Sequence, residues 1–107
     1  MHTVAAVVRP ADGSVHVGVN LYHFLGGPCA ELVALGAARA HGATEITHIV
    51  AVGDRGRGVL NPCGRDRQIL SDYHPNVRVV VTDRGELVTV SVADLLPLAY
   101  DAVAAQD

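Results

Sequence analysis

The sequence lacks lysine and tryptophan altogether, so its 8 basic residues are all arginine, and 11 acidic residues outnumber them over 107 positions. A net charge of −3, with only 3 tyrosines and 1 phenylalanine, argues against nucleic acid as a partner. No apolar run approaches the roughly 18 residues that a membrane span needs, and the N-terminus has no signal-peptide pattern. These absences predict a cytoplasmic protein with no membrane partner.

Cysteine is scarce as well, since Cys29 and Cys63 are the 2 cysteines of the chain. Two cysteines are too few for a disulfide framework. In a reducing compartment they are buried, metal-bound or reactive, and the count alone leaves these alternatives open. At this length the chain buries roughly two thirds of its unfolded surface, which is enough for one core but leaves self-association useful for stability.

The apolar periodicity predicts one domain, residues 1–107, with the element order β-β-α-β-α-β-β-α. We expect a hairpin over 3–20, a helix over 28–41, a central strand over 44–53 covered on both faces, and a loop over 54–58. A second helix opening at 61–63, strands over 76–82 and 87–90, and a terminal segment capped by Ser91 complete the chain. The pattern indicates an α/β fold with a mixed five-stranded sheet and helices that begin at its carboxyl edge.

Each cysteine follows a proline at the predicted start of a helix, in the first turn. Helix N-termini favour thiolates and lower their pKa, so both are suitable positions for metal-binding sulfur. Asp66 comes three residues after Cys63 and shares its helix face. Two thiolates and a carboxylate leave a fourth tetrahedral position open, which is typical of a catalytic zinc site, and Glu31 falls beside that position.

The motifs C-A-E and P-C-x-x-[ligand]-R-Q resemble the zinc-dependent cytidine deaminase superfamily, and the stretches YHFLGGPCAEL and LLPLAY resemble its blasticidin-S deaminase branch. This resemblance spans essentially the whole chain. It implies a three-layer α/β/α sandwich with a mixed five-stranded sheet that lacks the usual N-terminal helix. It also implies a hydrolytic deaminase of an amino-pyrimidine nucleoside or nucleoside antibiotic, assembled as a homotetramer, with a dimer as the alternative.

The resemblance also implies roles for individual residues. Glu31 is the proton shuttle that takes a proton from the attacking water and returns it to the departing ammonia. Arg67 directly follows the third implied ligand, at the position where the family has an arginine that hydrogen-bonds a metal-bound sulfur. The implied zinc ligands are Cys29, Cys63 and Asp66, and the implied substrate-binding residues are Asn20, Arg57 and Tyr100.

Asp66 stands where the family has a third cysteine. Zinc accepts a carboxylate at about 2.0–2.2 Å, so the site can survive this change with weaker metal affinity. Two alternatives stay open at this point. One is a catalytically silent homologue that binds a nucleoside-like ligand or partner. The other is the same chemistry on a different amino-heterocycle. The scattered histidines, His23 and His74 among them, are assigned no metal role.

Overall fold

The computed structural model describes residues 3–101, which form a mixed sheet with three helices. The strands are β1 (Val4–Pro10), β2 (His16–Val19), β3 (Ile46–Gly53), β4 (Gly58–Leu60), β5 (Arg78–Asp83) and β6 (Glu86–Ser91). The helices are α1 (Ala30–Ala40), α2 (Gly64–Tyr73) and α3 (Val92–Leu95). None of these helices is long and apolar enough to cross a membrane.

The sheet runs in the order β2-β1-β3-β5-β6, and β4 pairs with β3 beside this path. Strands β3 and β5 are parallel, whereas the other pairs are antiparallel. The prediction that β3 is central and that the sheet is mixed is therefore confirmed. Strand β4 is additional to the five predicted strands: the predicted loop over 54–58 includes only its first residue, and residues 59–60 were assigned to no element. It forms because Arg55 and Gly56 adopt positive φ angles of 55° and 73°, which turn the chain back onto β3.

One face of the sheet carries the core. Its buried residues alternate along the strands and meet small side chains of α1, together with Leu70 of α2 and Val92 of α3. Gly18 in β2 allows α1 to approach closely, because a Cβ atom there would lie 2.3 Å from the backbone nitrogen of Ala34. The small residues Ala34 and Ala38 make the matching surface on the helix.

The opposite face of the sheet is uncovered within residues 3–101. Val17 and Val52 on this face are 56% and 41% exposed, and Val7, Val50 and Val80 are half-buried. The prediction that β3 is covered on both faces is therefore not met within one described chain. The alternation of the strands places these apolar side chains away from all three helices, so the described residues supply two of the three predicted layers.

The helix boundaries refine the sequence prediction. Helix α1 begins after Cys29 and α2 after Cys63, so each cysteine is an N-cap with extended backbone and does not lie in the first turn as predicted. The preceding prolines favour this extended entry to each helix. Ser91 caps α3 as predicted, its hydroxyl accepting from the backbone amide of Asp94 at 3.3 Å. This helix ends before Pro97, and the predicted extension to 105 runs beyond the described residues at 102–105.

Candidate metal and proton-transfer site

The two helix N-termini bring the three predicted metal ligands together. The ligand atoms of Cys29, Cys63 and Asp66 all lie within 4.8 Å of one another. Cys29 and Cys63 reach this point as the N-caps of α1 and α2, and Asp66 reaches it from the first turn of α2. Cys29 is 34 positions from Cys63 and 37 from Asp66, so distant parts of the chain form one cluster of two sulfur donors and one carboxylate.

Asp66 is the most deeply placed member of the cluster, with 2% of its surface exposed. Its Oδ1 atom is buried and has no hydrogen-bond partner among the described residues. A buried carboxylate oxygen without a partner is costly in free energy, whereas a bound cation would satisfy it. The donor set suits zinc, which accepts cysteine sulfur and carboxylate oxygen in a tetrahedral arrangement, and the three side chains would leave a fourth position for water or substrate.

The pKa of Cys29 corrects an expectation from the sequence. A helix N-terminus lowers the pKa of a thiol in general, but the pKa of Cys29 is raised to about 11. Burial is the largest cause, and the negative charges of Asp66, Cys63 and Glu31 add to it. Burial and the neighbouring anionic groups together therefore outweigh the helix dipole, and a divalent cation is the partner that would neutralise these groups.

Glu31 lies in the first turn of α1, next to this cluster, and is 8% exposed. Burial, and then the neighbouring Asp66 carboxyl group, raise the pKa of Glu31 to about 7. A carboxyl group with a pKa near neutrality can accept a proton and return it at physiological pH. Glu31 also lines a cavity of about 10 Å³ between the sheet and α2, a volume close to the smallest that holds one water molecule.

Arg67 fixes the entry to α2. Its Nε atom donates to the carbonyl oxygen of Pro62 at 2.8 Å, and its Nη1 atom donates to the carbonyl oxygen of Leu95 at 3.0 Å. Arg67 thereby ties the segment that carries Cys63 to the end of α3. Its implied hydrogen bond to a metal-bound sulfur stays a prediction.

The three residues implied in substrate binding take different positions. The Asn20 side-chain oxygen accepts the backbone amide of Val4 at 2.8 Å, which fixes the end of the hairpin. Arg57 donates to Asp54 at 2.8 Å and to the carbonyl oxygen of Thr3 at 2.9 Å. Tyr100 is 67% exposed. Their roles toward a substrate stay predictions.

Asn61 is a positioning residue that the sequence analysis missed. Its side-chain oxygen accepts the backbone amide of Thr82 at 2.8 Å, and its side-chain nitrogen donates to the carbonyl oxygen of Thr82 at 3.0 Å. These two bonds hold the turn before Pro62 and Cys63 against the end of β5. The signal in the sequence is an amide side chain directly before the Pro-Cys pair.

Comparison with known proteins gives no match to any family model. A blasticidin-S deaminase from Bacillus cereus is 34% identical over 108 residues, covering 92% of this chain and 77% of that protein. The chain belongs to the cytidine deaminase superfamily. A cytidine deaminase from Halalkalibacterium halodurans is also 34% identical, over 92% of this chain and 77% of that protein.

Solved structures agree with this membership. The cytidine deaminase of Burkholderia pseudomallei is 33% identical and has a TM-score of 0.78 over 92% of this chain and 82% of that chain. The cytidine deaminase of Mycobacterium tuberculosis is 27% identical and has a TM-score of 0.79 over 94% and 80%. The predicted cytidine deaminase-like fold is therefore confirmed, as is the prediction of a hydrolytic deaminase acting on C–N bonds.

Proposed function

We propose that this member of the cytidine deaminase superfamily is a zinc-dependent deaminase of an amino-pyrimidine nucleoside or nucleoside antibiotic, of the cytidine or blasticidin S type. The observation that carries the proposal is the Cys29, Cys63 and Asp66 cluster beside the buried carboxyl group of Glu31. In the reaction, water adds to the ring carbon that bears the amino group. The C–N bond then breaks, leaving a carbonyl group on the ring and releasing ammonia.

The site has two kinds of residue: the three cluster residues bind the metal, and Glu31 transfers protons. Cys29, Cys63 and Asp66 would hold the zinc ion, which would supply Lewis-acid chemistry for the activation of water. Glu31 accepts the proton of the attacking water and delivers it to the departing amino group. Its pKa of about 7 supports both transfers, because a base and an acid of this strength are each available near neutral pH.

The substrate is a free nucleoside-like molecule. The named activities of the relatives support this class, and the net charge of −3 argues against a nucleic-acid substrate. We assign Asn20, Arg57 and Tyr100 to substrate binding, and Arg67 to a metal-bound sulfur. The chain acts in the cytoplasm as one domain over residues 1–107.

We also propose that the enzyme is a homo-oligomer, a tetramer or a dimer. The cavity that Glu31 lines within the described residues is about 10 Å³, which is too small for a nucleoside. Phe24 and Leu25, in the loop before Cys29, are 82% and 79% exposed. The uncovered apolar face of the sheet is a further surface of the kind that contacts another chain. A neighbouring copy would cover such surfaces and help to close the pocket.

The function is tested by measuring ammonia release and the change in ultraviolet absorbance of zinc-loaded protein with cytidine, deoxycytidine and blasticidin S. We expect turnover of at least one of the three, and a fall of at least about 100-fold for Glu31→Gln, since a positioned acid–base group contributes about 10²–10⁴-fold. Glu45→Gln is the matched control, because Glu45 is exposed before β3, and it should leave the rate unchanged. Zinc-loaded protein that turns over none of the three compounds would contradict the proposal.

A further inference from the structure

The oxygen donor of the site is its most buried ligand. Asp66 is 2% exposed, whereas Cys29 is half-buried and Cys63 is exposed. Asp66 has a buried Oδ1 atom without a hydrogen-bond partner, and one of its carboxylate oxygens belongs to the group of ligand atoms that lie within 4.8 Å of one another. The carboxylate therefore reaches the centre from its buried side.

The chemistry of the donors decides which ions such a centre prefers. Thiolates are soft ligands and favour thiophilic ions, whereas carboxylates are hard ligands. Zinc is of borderline softness and accepts both kinds. Replacing one of three thiolates by a carboxylate keeps the formal charge of the donor set but removes one of its soft contacts.

On the basis of the proposed zinc site, we infer that Asp66 sets the metal preference of this enzyme. The centre of two cysteines and one aspartate binds zinc more weakly, and discriminates more strongly against cadmium, than a centre with cysteine at position 66. The metal is correspondingly easier to exchange. Asp66 is thus a working ligand that determines which divalent cation the enzyme carries.

The position of Asp66 supports this assignment over a purely structural role. It lies three residues after the N-cap Cys63, so the first turn of α2 directs both side chains to one point. A first-turn aspartate that only stabilises the helix dipole is commonly solvent-exposed, whereas Asp66 is buried with an oxygen unpaired. Asp72, on the same helix, is exposed and accepts a hydrogen bond from Gln68 at 3.1 Å.

The experiment measures Zn²⁺ and Cd²⁺ affinities by competition with a chromophoric chelator for the wild type, Asp66→Cys and Asp66→Asn. We expect Asp66→Cys to raise zinc affinity by at least about tenfold. Changing a residue that only hydrogen-bonds a metal ligand already alters metal affinity by about 10–100-fold, so changing a ligand itself should have at least the smaller of these effects. The ratio of cadmium to zinc affinity should rise further in this variant. The sulfur-to-cadmium charge-transfer absorption per bound ion should grow by half, because three thiolates replace two. Asp66→Asn should bind zinc more weakly than the wild type.

Asp72→Cys is the matched control, since it adds a thiol to the same helix outside the cluster and should change neither affinity. Circular dichroism tests whether each variant is folded. If Asp66→Cys does not fold, the comparison of zinc affinity between Asp66→Asn and the wild type carries the test. Equal cadmium-to-zinc ratios in the wild type and Asp66→Cys would overturn the inference while leaving the proposed deaminase intact. Wild-type protein that binds no zinc would overturn both.

Discussion

Gly18→Ala is predicted to separate α1 from the sheet and weaken the metal site together with the fold. A Cβ atom at Gly18 would lie 2.3 Å from the nitrogen and 2.8 Å from the Cα of Ala34, and 2.7 Å from the carbonyl carbon of Val33. Carbon atoms in ordinary contact are about 3.5–4.0 Å apart, so the helix must retreat by roughly 1 Å. These neighbours are backbone atoms, which cannot rotate away as the end of a side chain can.

The magnitude follows from the cost of overpacking a core, which is roughly 1–3 kcal/mol. For a domain of this size each kcal/mol corresponds to about 4–8 °C in Tm. Because α1 begins after Cys29 and contains Glu31, its displacement also moves both groups relative to Cys63 and Asp66. We therefore expect lower zinc affinity in Gly18→Ala in addition to the loss of stability.

Gly36→Ala is the matched control for this prediction. It makes the same substitution within α1, at an exposed position where a Cβ atom would meet nothing within 4 Å. Alanine is favoured over glycine inside a helix by about 0.8–1.0 kcal/mol, so this variant should be more stable than the wild type. Urea unfolding followed by circular dichroism measures both free energies. If Gly18→Ala unfolds at the same urea concentration as the wild type, the close approach of α1 to β2 does not require glycine at position 18.

Three further predictions concern other parts of the fold. Asn61→Ala should lower the free energy of unfolding by about 0.5–1.5 kcal/mol in urea titration, because the exposed amide and carbonyl of Thr82 exchange the Asn61 side chain for water; an unchanged midpoint would show that these two bonds do not stabilise the fold. Burial, and then Arg39, lower the pKa of His74 below 6.5, so the unfolded chain binds the proton more readily and stability falls as the pH drops below 6.5. His74→Gln should flatten this pH dependence of the unfolding free energy, and a variant with the wild-type slope would exclude His74 as its source. Val17→Glu places a charge on the uncovered face of the sheet and should lower the solution mass measured by light scattering, whereas a wild-type protein that is already monomeric would contradict self-association.

The helix starts of the site could be predicted from the sequence because they depend on local chemistry. A proline before each cysteine marks where α1 and α2 begin, and the spacing of three between Cys63 and Asp66 places both on one side of a helical turn. The continuous apolar second half of the strand likewise predicted β3 as the central strand. These features require no knowledge of what lies on the other side of the molecule.

Other features arise only when distant segments meet. The raised pKa of Cys29 depends on burial and on charges from Asp66 and Glu31, which local helix chemistry does not include. The bonds from Asn61 to Thr82 join positions 21 residues apart. The apolar second half of β3 predicted cover on both faces, but within the described residues Val52 stays 41% exposed. An apolar residue shows that a surface prefers to be covered without identifying the polypeptide that covers it.

In the proposed reaction, Glu31 and the metal cluster together perform hydrolytic deamination. The most direct measurement is the rate of ammonia release from cytidine and blasticidin S as zinc is titrated into metal-free protein, with bound zinc determined in the same samples. We expect a rate that rises in proportion to bound zinc, up to one ion per chain, and that stays at background in Glu31→Gln despite equal zinc binding. A rate independent of bound zinc, or an undiminished rate in Glu31→Gln, would contradict this proposal.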